Sequence, residues 1–103
     1  MAELQEQLLH EIEPLLESEN RATLRELLYD WRTSDIAEIV ELVDNDWRRL
    51  IFDVLDTPIA AEVLEKVNEA TRARLFEVLQ DQEIHRIVSE LDWDDAADLL
   101  AEM

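Results

Sequence analysis

The residues best suited to chemistry are the five carboxylates of the last twelve residues, DWDDAADLLAEM. If this segment is a helix, with about 100° between successive residues, Asp94, Asp98 and Glu102 form one line and Asp95 lies beside it. Asp92 and Asp95 have a structural explanation, because an N-cap and the first helical turn favour anions. Asp98 and Glu102 lie further along, and each follows another acid by four residues, which destabilises a helix. Two interpretations remain open: a solvated face, or a surface that binds a cation or a partner.

Other kinds of chemistry have little support in this chain. The absence of cysteine excludes disulfides and thiolate metal sites, and the absence of glycine excludes glycine-rich phosphate loops. The two histidines, His10 and His85, each lack a second ligand at a metal-binding spacing. We therefore expect that the protein is not an enzyme.

The net charge of −18 is the strongest feature of the composition. It argues against nucleic acid and against anionic lipid, because binding to either depends on Lys and Arg. It permits a basic protein partner or cations. Apolar runs are too short for a membrane span or a signal peptide, so we expect no membrane insertion by this segment, and the lack of cysteine suits the cytoplasm.

Helical spacing runs through the whole chain, since apolar residues recur three and four apart in segments such as SDIAEIVELV and DWRRLIFDVL. Polar corners separate these segments and contain residues that favour helix N-caps. The predicted caps are Asn20, Ser34, Asp44 or Asn45, Thr57, Asn68, Asp81 and Asp92. Pro58 is expected at the first position of a helix, where its missing N–H costs nothing.

The chain also repeats itself with a period of about 24 residues. IVELVDNDWRRLIFDVL (39–55) aligns with VLEKVNEATRARLFEVL (63–79), so that Arg48 matches Arg72 and Phe52 matches Phe76, and a further shift brings Phe76 to Leu100. The units are about 8–31, 34–55, 58–79 and 82–103. Their aligned apolar positions, together with Trp31, Trp47 and Trp93, form the predicted core.

Helices of about ten residues are marginal alone, so they must be stabilised by stacking on neighbours. We therefore predict an all-α fold, a right-handed superhelix (α-solenoid) of about eight short helices in helix-pair repeats, with residues 1–103 as a single domain. The same pattern would also allow a plain globular bundle.

Three segments in order, SDIAEIVELV, TPIAAEVLEKV and SELDWDDAADLLAEM, resemble the cytosolic N-terminal domain of the MgtE family of magnesium transporters. The resemblance extends over nearly the whole chain from about Leu24, and its fold, a right-handed α-helical superhelix, is similar to parts of the flagellar motor-switch protein FliG. Trp93 departs from the family, which often has proline at that position.

The resemblance implies a regulatory role rather than ion transport by this segment. In the family, Mg²⁺ bound between this acidic domain and a following CBS domain holds the cytosolic region compact and the pore closed. By matching position, Asp94 and Asp98 would be metal ligands, with Glu62 of the AAEVL segment, and Asp95 and Glu102 are neighbouring candidates. The domain would lie at the cytosolic face of the inner membrane, in a protein that forms a homodimer.

The chain ends at Met103, and no CBS pair or pore follows in it. We therefore expect either an excised domain or a stand-alone relative without the transporter, with the other half of any magnesium site outside this chain. The alternative function is a FliG-like helical-repeat module used only for protein interaction, with no ion-sensing role.

Overall fold

The computed structural model describes residues 2–102, with side chains from Leu4 onward. Within that range the chain forms eight α-helices and no strand. In order these are α1 (Ala2–Glu17), α2 (Arg21–Tyr29), α3 (Thr33–Leu42), α4 (Asn45–Val54), α5 (Thr57–Lys66), α6 (Glu69–Val78), α7 (Asp81–Val88) and α8 (Trp93–Ala101).

Side-chain caps begin three of these helices, at positions that the sequence predicts. The oxygens of Asn20, Asp44 and Asn68 accept hydrogen bonds from backbone N–H groups three residues later, at 3.3, 3.0 and 2.8 Å. Each bond satisfies one of the N–H groups that a helix leaves unpaired at its start.

Three other cap predictions are wrong by one or two residues. Ser34, Thr57 and Asp81 lie inside the first turns of α3, α5 and α7. The residues at the N-cap positions are Arg32, Asp56 and Gln80, and none of them makes a side-chain cap hydrogen bond. The polar residues mark each corner correctly, but several residues of each corner could serve as the cap.

The helices stack in two layers, because each helix from α1 to α5 contacts the helix two places further along the chain. Contacts of α1 with α3, α3 with α5 and α5 with α7 build one layer, and contacts of α2 with α4 and α4 with α6 build the other. The helix pairs agree with the repeating units predicted from the sequence. The all-α fold of eight helices in a helical-repeat superhelix is therefore confirmed.

Equivalent positions of the repeat form the core. Ile39, Val63 and Ile87 are all buried, and so are the residues of a second series, Ile51, Leu75 and Leu99. Full burial of such a side chain stabilises the fold by about 1.5–3 kcal/mol, which short helices cannot gain alone.

The core prediction is wrong on one side of α8. Trp93 is 88% exposed and Leu100 is 50% exposed, whereas Ala96 and Leu99 are the buried residues of this helix. Ala97 is exposed as well. Since α8 is the last helix of the described range, no later helix within residues 2–102 covers this flank. Met103, which a helix of 100° per residue would place on the same face as Trp93 and Leu100, lies outside the described residues.

Candidate functional site

The first two acids of the predicted line, Asp94 and Asp98, lie on the outward side of α8. Ala96 and Leu99 turn this helix toward the core, and Asp94 and Asp98 lie on the other side, both exposed. Within the part of the chain that the structure describes, neither carboxylate takes part in an ion pair or a side-chain hydrogen bond. Their oxygens are therefore available to an external ligand.

The charge of Asp95 on α8 acts on Glu65 of α5, which shows that the two helices approach each other at this edge. Glu62 and Glu65 are three residues apart on α5, so they share a helix face, and both are exposed. Partial desolvation raises the pKa of the Glu65 carboxyl above its ordinary value, and the charges of Asp95, Asp92 and Glu62 raise this pKa further. Arg72 opposes the rise. The fold thus collects acids from the AAEVL and DDAAD segments at one edge.

We call this edge the acidic surface. The name covers Glu62, Glu65, Asp92 and Asp95 at this edge, together with Asp94 and Asp98 on the adjoining outward side of α8. It includes three of the predicted metal ligands and the neighbouring candidate Asp95. Glu65 was missed from the sequence, because an exposed glutamate beside a lysine is unremarkable until the tertiary structure places it against α8.

Glu102, the fifth candidate, has a partner inside the chain. Arg72 Nη1 lies 3.0 Å from each of the two carboxylate oxygens of Glu102, and the arginine side chain is 11% exposed. The expectation that stability gives no reason for an acid at position 102 is therefore wrong. Asp94 and Asp98 have no ion-pair partner within the described residues, and the assignment of Glu102 as a metal ligand stays a prediction.

Arg72 also satisfies the C-terminal end of α5. Its Nε donates to the carbonyl of Leu64 at 2.8 Å, and Nη2 donates to the carbonyls of Glu65 at 2.7 Å and Val67 at 2.8 Å. Helix C-termini leave carbonyl groups without internal partners, so a buried guanidinium is well suited to this position.

Arg48 makes the equivalent contacts one repeat earlier. Its Nε donates to the carbonyl of Val40 at 2.7 Å, and Nη2 donates to the carbonyl of Glu41 at 3.2 Å. The match of Arg48 with Arg72 in the repeat was the signal that could have identified both as structural residues. Of these two arginines, only Arg72 also contacts the end of α8, through the carboxylate of Glu102.

The structure does not give Asp92 the capping hydrogen bond that its predicted role implies. It occupies the N-cap position of α8, but its side chain accepts no cap hydrogen bond. Instead its charge contributes to the raised pKa of Glu65. Asp92 therefore belongs to the acidic surface more clearly than to the helix cap.

The donors of the acidic surface have the chemistry of a magnesium site but do not enclose one. Carboxylate oxygens are the protein ligands that Mg²⁺ prefers, usually one or two per ion with several waters. Among the side chains that the structure describes, from Leu4 to Glu102, no three histidine or acidic side chains converge closely enough to hold a metal ion. The surface could therefore supply part of a coordination shell, with the remaining ligands from water or another surface.

No helix within residues 2–102 combines the length and the apolar character needed to cross a bilayer.

Comparison with known proteins gives the family. No curated protein matches the chain significantly. A family model described as the MgtE intracellular N domain matches residues 31–103, so the match begins a few residues after Leu24 and includes every helix from α3 to α8. Because this match extends over more than half of the chain, the protein belongs to the family of the MgtE intracellular N domain.

Proposed function

We propose that this domain is the regulatory part of a magnesium transporter and that it senses Mg²⁺ through the acidic surface. The observation that carries the proposal is the juxtaposition of Glu62 and Glu65 on α5 with Asp92 and Asp95 at the start of α8. Family membership supports the connection to magnesium transport. Glu62, Asp94 and Asp98 are the metal ligands in this proposal, with Asp95 and Glu102 as neighbouring candidates.

The electrostatics of the acidic surface favour a divalent cation over solvation alone. Desolvation is the largest cause of the raised pKa of Glu65, and the like charges of Asp95, Asp92 and Glu62 raise this pKa further, so the acids at this edge repel one another. A cation shared with a second acidic surface would reduce repulsion within this domain and between the two surfaces at once. Because no complete cage forms within the described residues, we expect weak binding by this domain alone.

Sensing follows from a shift of population between two arrangements. The acids of this domain and those of a following CBS domain attract each other only through the ions between them. When the cations are lost, repulsion favours separation of the domains, and a ligand that binds the compact arrangement better shifts the equilibrium toward it. In the proposal the compact arrangement keeps the pore closed, and the domain itself performs no catalysis.

The partners follow from the same proposal. The CBS domain of the same transporter supplies the second surface, the whole protein is a homodimer, and this domain is located in the cytoplasm beside the inner membrane. The alternative, a helical-repeat module for protein interaction alone, predicts no response to Mg²⁺. The coding sequence beyond Met103 distinguishes the two, because CBS-like βαβ segments followed by apolar spans would support the transporter.

Small-angle scattering provides the test. We expect a protein that carries this domain joined to its CBS pair to become more compact when Mg²⁺ is added at constant ionic strength. Asp98→Asn should weaken the compaction without unfolding the domain. A radius of gyration that does not change with Mg²⁺ would exclude the sensor function.

A further inference from the structure

An apolar groove lies where the ends of α2 and α4 meet the start of α5. It has a volume of about 480 Å³, and Tyr29, Trp31, Pro58 and Ile59 contribute to its lining. We call it the Tyr29 groove. Helices of successive units border it on both sides, so it lies within the stack and not at one of its ends.

Two large apolar side chains of the Tyr29 groove are open to solvent. Tyr29 is 82% exposed and Ile59 is 36% exposed. An apolar side chain gains nothing from contact with water, and exposed apolar groups that cluster beside a hollow are typical of interaction sites. The exposure of these two residues therefore needs an explanation from outside the fold.

The repeat provides an internal comparison, because the next unit has a cavity at the equivalent position. A shift of 24 residues places Tyr29 on Asp53 and Ile59 on Glu83. Asp53 and Glu83 both line that second cavity, which has a volume of about 260 Å³. The same repeat positions thus carry apolar side chains at one cavity and carboxylates at the other. Since the fold accepts carboxylates there, the stability of the stack does not explain Tyr29 and Ile59.

The charge around the Tyr29 groove permits the approach of a second copy of this chain. Residues 21–32 contain three arginines and two acids, whereas residues 81–103 contain one arginine and eight acids. Two ion pairs at the groove, Arg21 with Asp53 at 3.1 Å and Arg25 with Asp56 at 3.7 Å, neutralise acids there. Two chains with a net charge of −18 would therefore repel each other far less at this surface than at the acidic surface.

A two-fold interface requires a surface that is complementary to itself. The Tyr29 groove meets this requirement, because an exposed tyrosine stands beside a hollow with an apolar lining. Arg25 and Asp56 both line the groove, and their side chains are 60% and 61% exposed, so each copy presents one charge of each sign. A strongly basic or strongly acidic partner would leave one of these charges unmatched.

We propose that two copies of this chain associate through their Tyr29 grooves about a two-fold axis. Tyr29 of each copy packs into the groove of the other, and Arg25 of each copy pairs with Asp56 of the other. Because the groove is small, the association is weak, with a dissociation constant on the order of 10–100 µM. The inference uses neither Mg²⁺ nor the acidic surface, so its failure would leave the magnesium-sensing proposal unchanged.

Sedimentation equilibrium of the full chain tests the proposal, at about 0.15 M NaCl to screen the net charge. Tyr29→Asp introduces the residue type that the next unit carries at this position, and Leu42→Asp is the matched control. Tyr29 and Leu42 are each the last residue of a helix, both are exposed, and each substitution adds one negative charge. Leu42 lines none of the described cavities. Circular dichroism checks that both variants are folded.

We expect Tyr29→Asp to weaken dimerisation at least about tenfold and Leu42→Asp to weaken it less than about twofold. An exchange of charges tests the pairing across the axis. Arg25→Glu and Asp56→Arg should each weaken the dimer, although Asp56→Arg makes the chain less acidic, and Arg25→Glu/Asp56→Arg should restore it.

A chain that stays monomeric up to about 1 mM would overturn the proposal and leave the Tyr29 groove to a partner of different sequence. Equal weakening by Tyr29→Asp and Leu42→Asp would also overturn it, in favour of an interface elsewhere. So would a dimer that Asp56→Arg tightens or that the double variant fails to restore, because net charge and not this pairing would then govern the association.

Discussion

The guanidinium of Arg72 connects the end of α8 to the end of α5, because one of its nitrogens contacts both carboxylate oxygens of Glu102 while the others donate to three carbonyls. This contact fixes the C-terminal end of α8 relative to α5. The same end of α5 carries Glu65, whose pKa responds to both Asp95 and Arg72. The structural ion pair therefore lies directly beside the acidic surface.

Removal of the Arg72 side chain should destabilise the protein strongly. Arg72→Ala leaves three carbonyls and Glu102 without their donor, at about 1–3 kcal/mol for each buried group, so we expect a loss of at least about 3 kcal/mol in the free energy of unfolding. Arg72→Lys should recover little, since one ammonium cannot reproduce the planar set of donors. Urea unfolding followed by circular dichroism measures the loss.

Arg74→Ala is the matched control on the same helix. Arg74 pairs with Glu77 at 3.6 Å, and both side chains are mostly exposed, so a change of less than about 1 kcal/mol is expected. Glu102→Gln should lie between the two variants. Equal losses for Arg72→Ala and Arg74→Ala would contradict the structural role of Arg72.

Glu65→Gln should change how stability depends on pH. The folded-state pKa of Glu65 is raised above its ordinary value of 4.5, so the folded protein holds this proton more tightly than the unfolded chain does. Stability from this group is present below about pH 4.5 and is lost as the pH rises through the folded-state pKa. The variant should therefore be slightly more stable than the wild type at pH 7, by a small amount because Glu65 is exposed and solvent screens its charge.

The difference between the two proteins should disappear below about pH 4.5. Thermal unfolding at a series of pH values provides the measurement, and Glu26→Gln on α2 is the control at an exposed acid far from α8. In an Asp95→Asn background the gain from Glu65→Gln should shrink, because Asp95 is the largest charge contribution to the raised pKa. A gain of the same size in both backgrounds would show that the two acids do not interact.

The two tryptophans near helix starts should differ sharply in their contribution to stability. Trp47 is partly buried and packs against the core, so Trp47→Ala should cost about 2 kcal/mol or more. Trp93→Ala should change the free energy of unfolding by no more than about 0.5 kcal/mol, because this side chain is 88% exposed. Chemical denaturation of both variants tests the pair, and a large loss for Trp93→Ala would mean that α8 packs differently.

Much of the fold was accessible from the sequence because one physical pattern was repeated. The apolar positions of each unit must face the same way for the units to stack. The alignment of Ile39, Val63 and Ile87 in the repeat therefore predicted that all three are buried. Trp93 shows where this argument ends. Burial at a repeat position depends on the next unit, and residues 2–102 contain no unit after α8.

The candidate site was accessible only in part. Asp98 could be identified because helix stability does not explain an acid four residues after another one, and Asp94 could be identified from the family resemblance. Glu65 could not be identified, because its role depends on the approach of α8 to α5. Glu102 was placed with the external acids because its partner Arg72 lies 30 residues away in sequence.

A magnesium titration followed by amide chemical shifts tests the central claim most directly. MgCl₂ replaces NaCl at constant ionic strength, and Asp94→Asn/Asp98→Asn is compared with Glu11→Gln/Glu26→Gln, which removes two exposed acids at the opposite end of the stack. We expect saturable shifts concentrated around Glu62, Glu65 and residues 92–98, lost in the first variant and kept in the second. Shifts spread evenly over the acids of α1 and α2, or unchanged by Asp94→Asn/Asp98→Asn, would contradict magnesium sensing by the acidic surface.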